Sequence, residues 1–500
     1  MQTIRGLSRR RQPLMQTAGR QGSFTKALNS CIVTAMSVKV KLEGIRDKLK
    51  FVAPQLNPLV LHLARSLGPL YVKLVLGLRI HRPEHIGTLL QEYQQFAQGS
   101  SKLIIVFRHV HVHDAQVLFY TLNNLLPSYA RAQKVRLANR PHAHFLYGRG
   151  VPVWGGKRLE WLFSRLGGIP VHHRKLDRNG LDVVRSYMLQ GKYPIALAPE
   201  GQVTYHNQIV HELEPGFAHL CLWAQKDLQQ KGLDQDVRIL PISQYYQYGK
   251  TEQEKRKVLL SLIKELQTET GMNIVFGDTL PHNVQPVLAS LGADLISRIE
   301  QFYTQYYGMS VCKEEAAKGG AVPWECSRRR IEGLVDALLR MQEQHYCIQH
   351  PPKGFTPRIY IVRLAGWNRI FVQGEAADSP ESPLDVSLSE YLAAEAELYA
   401  RHLEVVDLLA YFHPEYALES QDTNRHIEYL LNLLDAANRV QGGTIGQRRH
   451  PRSCQVSLQV GEPLSLSDLR TRKQPNSERT MRSLIVKAVE QQFNVMTGSR

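Results

Sequence analysis

Short apolar runs alternate with segments of helical period between residues 100 and 285. Four runs have the length and apolarity of buried strands: 103–107, 195–197, 237–241 and 273–276. Helical patterns follow Asp114 and cover residues 181–189 and 214–224, and Gly191 ends the first of these two. Strands separated by helices in this way predict an α/β fold with a mixed, largely parallel sheet covered by helices.

A strongly apolar stretch, residues 56–80, precedes this region, but prolines and the cations Arg65 and Lys73 interrupt it. No uninterrupted apolar run approaches the roughly 20 residues that cross a bilayer. We expect a kinked helix pair at a membrane interface, with Arg65 and Lys73 reaching towards headgroups. A buried core helix of a soluble domain is the alternative.

Residues 1–50 hold eleven Lys or Arg and two acids, Glu43 and Asp47. This pattern is typical of a flexible basic arm or of an organelle-targeting segment, and Met15 and Met36 leave the start open. A basic arm beside the apolar stretch favours the membrane interpretation, because each Lys or Arg near an anionic surface adds about 1 kcal/mol. The net charge of +17 favours anionic partners in general.

Beyond residue 285 the pattern is mostly helical, with a loop predicted at 376–387 and a late strand at 455–460 before a final helix. The predicted organisation is therefore a basic arm (1–50), an interfacial helical segment (51–99), an α/β domain (100–285) and a mostly helical accessory region (286–500). The late strand either completes a sheet or repeats the element before Gly277. Six cysteines without a C-x-x-C pair argue against both a structural zinc site and a disulfide framework, and they fit a reducing compartment.

Candidate chemistry is densest directly after the first predicted strand, where the sequence reads FRHVHVHDAQ from residue 107. His109 in the loop and Asp114 in the first helical turn can face each other. The carboxylate would then hold one imidazole nitrogen and leave the other free to take a proton.

Two further segments favour ligand binding. Pro199, Glu200 and Gly201 form a turn at the carboxyl end of a predicted strand, where α/β folds bind ligands. The basic stretch ending in Arg174 and Lys175 suits a phosphate, although a solvated loop would have the same composition.

Together these segments resemble the glycerolipid and lysophospholipid acyltransferase family, of the 1-acylglycerol-3-phosphate acyltransferase type. Four family motifs find counterparts in the same order: N-H-x-x-x-x-D at His109 and Asp114, G-x-x-x-x-x-R at Gly168 and Arg174, F-P-E-G-T-R-S at Pro199, Glu200 and Gly201, and an apolar-Pro strand at Leu240 and Pro241. The resemblance covers roughly residues 100–285 and implies that this region is an acyltransferase domain.

The resemblance implies that His109 is the general base for an acceptor hydroxyl and that Asp114 orients it. It also implies that Arg174, with Lys175 beside it, meets the acceptor phosphate, and that the turn at Glu200 and Gly201 shapes that pocket. The co-substrate would be acyl-CoA or an acyl carrier protein, and no cofactor or metal is required. The expected location is peripheral, on the cytoplasmic face of a membrane, with organelle targeting by the basic N-terminus as an option.

The chain departs from the family pattern at three places. Arg108 stands where the family has Asn, and His111 stands where it has Ser. Gln202-Val203-Thr204 replaces Thr-Arg-Ser and removes a cation, so the acceptor's identity stays open.

A different class of enzyme deserves comparison. His109, His111, His113 and Asp114 superficially resemble the H-x-H-x-D-H motif of metal-dependent hydrolases, although the Asp and the last His are reversed. Zinc bound by alternate residues of an extended segment is the alternative prediction. A nucleic-acid partner is not expected, because no binding module is recognisable and much of the excess charge lies in the arm.

Overall fold

The structure is a computed structural model that describes residues 51–172, 178–272, 280–309, 323–371, 382–452 and 454–498. Within this part of the chain, eight strands form one sheet: β1 (Leu78–Ile80), β2 (Ser101–Phe107), β3 (His144–Gly148), β4 (Ile169–Val171), β5 (Ile195–Leu197), β6 (Asp236–Gln247), β7 (Cys454–Val460) and β8 (Leu464–Ser465). All described residues belong to one compact unit.

The sheet has the strand order β1-β7-β6-β2-β5-β3-β4, and β8 pairs with β6 beside this path. Neighbours from β6 to β4 are parallel, whereas β7 and β8 run antiparallel to β6. The predicted α/β fold with a mixed, mostly parallel sheet and a helical C-terminal region is confirmed. The late strand, β7, completes this sheet between β1 and β6.

Helices cover the sheet and build the C-terminal region. Before β6 they are α1 (Pro58–Leu70), α2 (Ile86–Ala97), α3 (Asp114–Tyr120), α4 (Leu126–Ala132), α5 (Val151–Arg165), α6 (Arg178–Gln190) and α7 (Gly216–Gln230). After β6 they are α8 (Glu252–Thr270), α9 (Gln285–Tyr307), α10 (Pro323–His345), α11 (Phe355–Ile370), α12 (Pro383–Leu409), α13 (Pro414–Leu418), α14 (Thr423–Val440), α15 (Leu466–Lys473) and α16 (Glu478–Gly498).

The central strand β2 shows how the sequence builds two cores. Because successive side chains of a strand point to opposite faces, its odd-numbered residues 103–107 join the larger core and Ile104 and Val106 join the smaller one. Helices α9, α10 and α14 contribute to the larger core, and α6, α7 and α16 contribute to the smaller one. Both faces of β2 are therefore buried, which explains its continuous apolar sequence.

The apolar stretch before the sheet differs from the prediction in two ways. It contains one α-helix, α1, followed by a π-helical turn (Tyr71–Val75) and then strand β1, so the expected second α-helix is absent from these described residues. Arg65 does not extend from the surface, because its Nε donates to Asn123 Oδ1 at 2.7 Å. The expectation that Arg65 reaches headgroups is therefore wrong, whereas Lys73 is exposed.

A proline inside α1 explains how the helix docks on the rest of the molecule. Pro69 has no N–H, so the carbonyl of Arg65 loses its helical partner. The side-chain amide of Asn124 donates to that carbonyl at 3.0 Å instead. Asn123 and Asn124 lie in the π-helical turn (Thr121–Leu125) that continues α3, so α1 is fastened to the helix that begins at Asp114.

Some predictions lie outside the described residues, namely the basic arm and the strand at 273–276. The loop predicted at 376–387 is wrong from residue 383 onward, because α12 begins there with Ser382 as its N-cap. Among the described helices, none combines the length and the apolarity needed to cross a membrane.

Candidate active site

The predicted pair of His109 and Asp114 lies together at the carboxyl end of β2. His109 follows the strand, and Asp114 is the first residue of α3. Their side chains meet through Nδ1 of His109 and Oδ2 of Asp114, which are 3.1 Å apart. The His109 side chain is 24% exposed and that of Asp114 is fully buried, so the imidazole is the member that reaches solvent.

Hydrogen-bond donors surround the buried carboxylate of Asp114. The Tyr246 hydroxyl donates to Oδ1 at 2.6 Å, and the backbone N–H of His111 donates to Oδ2 at 2.7 Å. Burial raises the pKa of Asp114, and the bonds from His109, Tyr246 and His111 oppose that rise. An ionised carboxylate only accepts, so in the ionised form of Asp114 the Nδ1 of His109 is the donor, and a neutral imidazole then keeps its lone pair on Nε2.

Glu200 holds the backbone of His109 from the neighbouring strand. Strands β2 and β5 are adjacent and parallel, with Val106 opposite Leu197, so the residues that follow them meet at one edge of the sheet. The Glu200 carboxylate accepts the backbone N–H of His109. At 2% exposure it supports the base rather than presenting its charge to solvent.

Arg108 is the charge partner of Glu200, with Nε 3.5 Å from Oε1 and neither side chain exposed. Its guanidinium also donates to backbone carbonyls of the loop after Gly201, at His206, Asn207 and Ile209. Burial raises the pKa of Glu200, and the nearby Arg108 lowers it. Arg108 thus ties the loop after β5 to the loop after β2.

The rest of the predicted turn is covered by other parts of the chain. Gly201 has φ +77°, and a Cβ there would lie 2.9 Å from Glu214 Cδ and 2.9 Å from the Tyr360 hydroxyl. The Pro199 carbonyl accepts the backbone N–H of Glu214 at 2.7 Å. Only glycine therefore fits position 201, on grounds of both φ and space.

The predicted phosphate ligands, Arg174 and Lys175, lie outside the described residues. The structure therefore brings His109, Asp114, Pro199, Glu200 and Gly201 together at one edge of the sheet. The phosphate-binding role of Arg174 and Lys175 stays a prediction.

The histidines after His109 form a separate cluster with a residue that the sequence did not single out. One nitrogen from each of His111, His113 and His450 can be chosen so that all three lie within 4.8 Å of one another. Burial lowers the pKa of His113 to about 4 and that of His450 to about 3, and lowers that of His111 well below its usual range. The predicted metal set of His109, His111, His113 and Asp114 is thus not the set that the structure groups.

Sequence reasoning missed Tyr246, the charge pairing of Arg108, and His450. Tyr246 lies near the end of β6, which pairs with β2 in the sheet. The only available signal in the sequence was that Tyr246 follows the predicted apolar-Pro strand by a few residues. His450 precedes β7 by only a few residues, but nothing in the sequence shows that β7 enters this sheet. Comparisons of the chain with protein-family models, with curated proteins and with solved structures gave no match.

Proposed function

We propose that this chain is a peripheral-membrane O-acyltransferase that moves a fatty acyl group from acyl-CoA or an acyl carrier protein to a lipid hydroxyl. The acceptor would be a lysophospholipid or glycerol phosphate, and the site would face the cytoplasmic side of a membrane. The observation that carries the proposal is the 3.1 Å contact between His109 Nδ1 and Asp114 Oδ2 beside the Glu200 turn.

In the proposed reaction, Nε2 of His109 takes the proton of the acceptor hydroxyl while the hydroxyl oxygen attacks the thioester carbonyl. The tetrahedral intermediate then expels the thiolate, which receives the proton from the imidazolium, so the ester forms as the thioester breaks. Asp114 stabilises the transient imidazolium and fixes the ring. A positioned base of this kind contributes about 10²–10⁴-fold to the rate.

Three contacts support a fixed position for the base. Glu200 accepts from the His109 backbone, and the backbone N–H of Thr204 donates to the His109 carbonyl at 2.8 Å. Asp114 fixes the ring. Since both backbone groups and one ring nitrogen are engaged, little conformational entropy remains to be lost when a substrate binds.

The surface of α1 supports the membrane part of the proposal. Large apolar side chains recur at helical spacing and stay exposed along α1 and the π-helical turn after it: Leu59, Leu63, Leu67, Leu70, Leu74 and Val75. We call this set the leucine stripe. Exposed fractions from 56% to 75% along one face are typical of a helix that inserts into the headgroup region.

The leucine stripe is mechanically linked to the catalytic pair. Helix α1 hydrogen-bonds through Arg65 to Asn123 and Asn124, in the turn that continues the helix beginning at Asp114. Arg174 and Lys175 remain the proposed ligands of the acceptor phosphate, on the strength of the resemblance alone.

The test is release of free thiol from acyl-CoA and from acyl carrier protein, measured with a panel of lysophospholipids and glycerol 3-phosphate. We expect release that depends on one acceptor and yields an equal amount of esterified lipid. Thiol release that never depends on a lipid acceptor would contradict the transferase assignment.

His109→Ala should lose nearly all turnover while still binding vesicles, and Asp114→Asn should lose much of it. His81→Ala is the matched control, because His81 lies on the surface and bonds to Gln455. Full activity in folded His109→Ala would remove this residue as the base.

A further inference from the structure

Three imidazoles pack against one another near Asp114. The ring centroids of His111, His113 and His450 lie 4.6 to 4.9 Å apart. His111 and His113 come from the loop between β2 and α3, and His450 comes from the segment that leads into β7. The tertiary fold therefore brings these ligand types together from two distant parts of the chain.

Two of the three rings carry a buried nitrogen that has no hydrogen-bond partner: Nδ1 of His113 and Nδ1 of His450. Nδ1 of His111 accepts a long bond of 3.2 Å from the backbone N–H of His113, so it is unprotonated, and an ion bound at this nitrogen would replace that bond. Buried polar atoms without partners are rare in folded proteins, and a bound ion or water is one way to satisfy them.

We propose that His111, His113 and His450 bind one divalent transition-metal ion, with Zn²⁺ as the best match. Zn²⁺ takes histidine nitrogens at about 2.0–2.1 Å, which places two ligand nitrogens about 3.3 Å apart in a tetrahedral site. The present nitrogens lie within 4.8 Å of one another, so an ion would have to draw them closer by about 1.5 Å. A water molecule would complete the tetrahedron.

The charges around the cluster permit a cation. The positive charge of Arg448 acts on His111 and His450, but its guanidinium is bound to Asp435 Oδ2 at 2.9 Å and to Asn432 Oδ1 at 2.6 Å. Asp435 contributes a compensating negative charge and is itself fully buried. Arg439 also binds Asp435, at 3.2 Å, and pairs with Glu404 at 3.5 Å, so the ion would lie near a network of two guanidinium and two carboxylate groups rather than near an isolated guanidinium.

The ion would act by positioning and would not touch the reacting atoms. The His111 ring stacks on Tyr246, with centroids 4.2 Å apart and planes at 18°. The His111 backbone and the Tyr246 hydroxyl both donate to Asp114. An ion on His111 would therefore stiffen the support behind the catalytic carboxylate and would leave Nε2 of His109 free.

The experiment measures binding of Zn²⁺ and Co²⁺ to the full chain after removal of metal with a chelator. We expect one ion per chain, a visible absorption band with Co²⁺ of tetrahedral type, and a thermal midpoint that rises on addition of Zn²⁺. His113→Ala and His450→Ala should each weaken binding by more than about 100-fold, since even the loss of an outer-shell partner costs 10–100-fold.

His109→Ala and the surface variant His81→Ala are the controls and should keep wild-type affinity. Far-UV circular dichroism verifies folding, and the half-buried His113 supplies a second test should His450→Ala fail to fold. No stoichiometric binding by the wild type would overturn the site, as would unchanged binding in folded His113→Ala. Loss of binding in His109→Ala would also overturn it, because the ion would then lie at the catalytic histidine.

Two assays on the same preparation distinguish this inference from the proposed function. Acceptor-dependent thiol release is assayed on the metal-free chain and again after Zn²⁺ is restored, so a failed transferase assay and a failed metal titration are distinct results.

Discussion

Replacing Tyr246 by phenylalanine removes one hydroxyl from behind the catalytic pair and keeps the ring that packs in the core. Tyr246 is 1% exposed, and its hydroxyl donates to Asp114 Oδ1 at 2.6 Å. A hydrogen bond to a charged group contributes about 1.5–3 kcal/mol, and here its loss leaves a buried carboxylate oxygen without that donor. We therefore expect the free energy of unfolding to fall by about this amount.

The same loss should reduce catalysis, because Asp114 then holds the His109 ring less firmly. If the whole contribution is felt in the transition state, kcat/KM falls about ten- to a hundredfold. The pKa of Asp114 also rises, since the Tyr246 hydrogen bond that lowers it is gone. In the proposed mechanism Asp114 acts in its ionised form, so the acid side of the rate–pH profile should move to higher pH.

The assay is acceptor-dependent thiol release across a pH series, with unfolding in urea followed on the same preparations. Tyr248→Phe is the matched control, because Tyr248 is a buried tyrosine nearby that does not hydrogen-bond to Asp114. If Tyr246 had a purely structural role, the substitution would lower the free energy of unfolding without shifting the acid side of the rate–pH profile. Unchanged kcat/KM and an unchanged profile in folded Tyr246→Phe would refute the reasoning.

Three further predictions follow from the geometry. Leu63→Asp should weaken binding to anionic vesicles about tenfold or more in a flotation assay, since burying one leucine is worth about 1.5–3 kcal/mol and Leu63 is 57% exposed. Glu200→Gln should lower the free energy of unfolding in urea by about 3–5 kcal/mol, because it leaves the buried Arg108 without its charge partner. Burial holds the pKa of His142 at about 3, below the unfolded value near 6.5, so the unfolded chain binds one more proton between these limits. Stability should thus fall by about 1.4 kcal/mol per pH unit from this residue as the pH decreases through that window, and His142→Gln should reduce the measured slope by that amount.

Each of these has a variant that would expose an error. Val495→Asp places the same charge on another exposed apolar position, at 61% exposure, and should leave vesicle binding intact. Arg108→Met combined with Glu200→Gln should recover much of the lost stability, because no buried charge is then unpaired. A His142→Gln slope equal to that of the wild type would mean that this imidazole does not stay neutral in the fold.

The sequence by itself determined the parts of the site that are local in the chain. The continuous apolarity of β2 indicates a strand buried on both faces, and the five-residue spacing from His109 to Asp114 spans only one loop and one helical turn. Their contact is therefore nearly fixed once the strand and the helix form. The turn at Glu200 was predictable for a related reason, since parallel neighbours end at the same edge of a sheet.

Only the tertiary structure decided which distant residues complete these contacts. Tyr246 reaches Asp114 because β6 pairs with β2 in one particular register, and His450 reaches His113 because β7 returns to the sheet after a long helical region. The sequence pattern also predicted wrongly that Arg65 extends towards lipid headgroups. Its guanidinium instead donates to the side chain of Asn123, a contact that the spacing of apolar residues does not reveal. Local patterns determine which elements form, but strand register and helix docking determine which side chains meet.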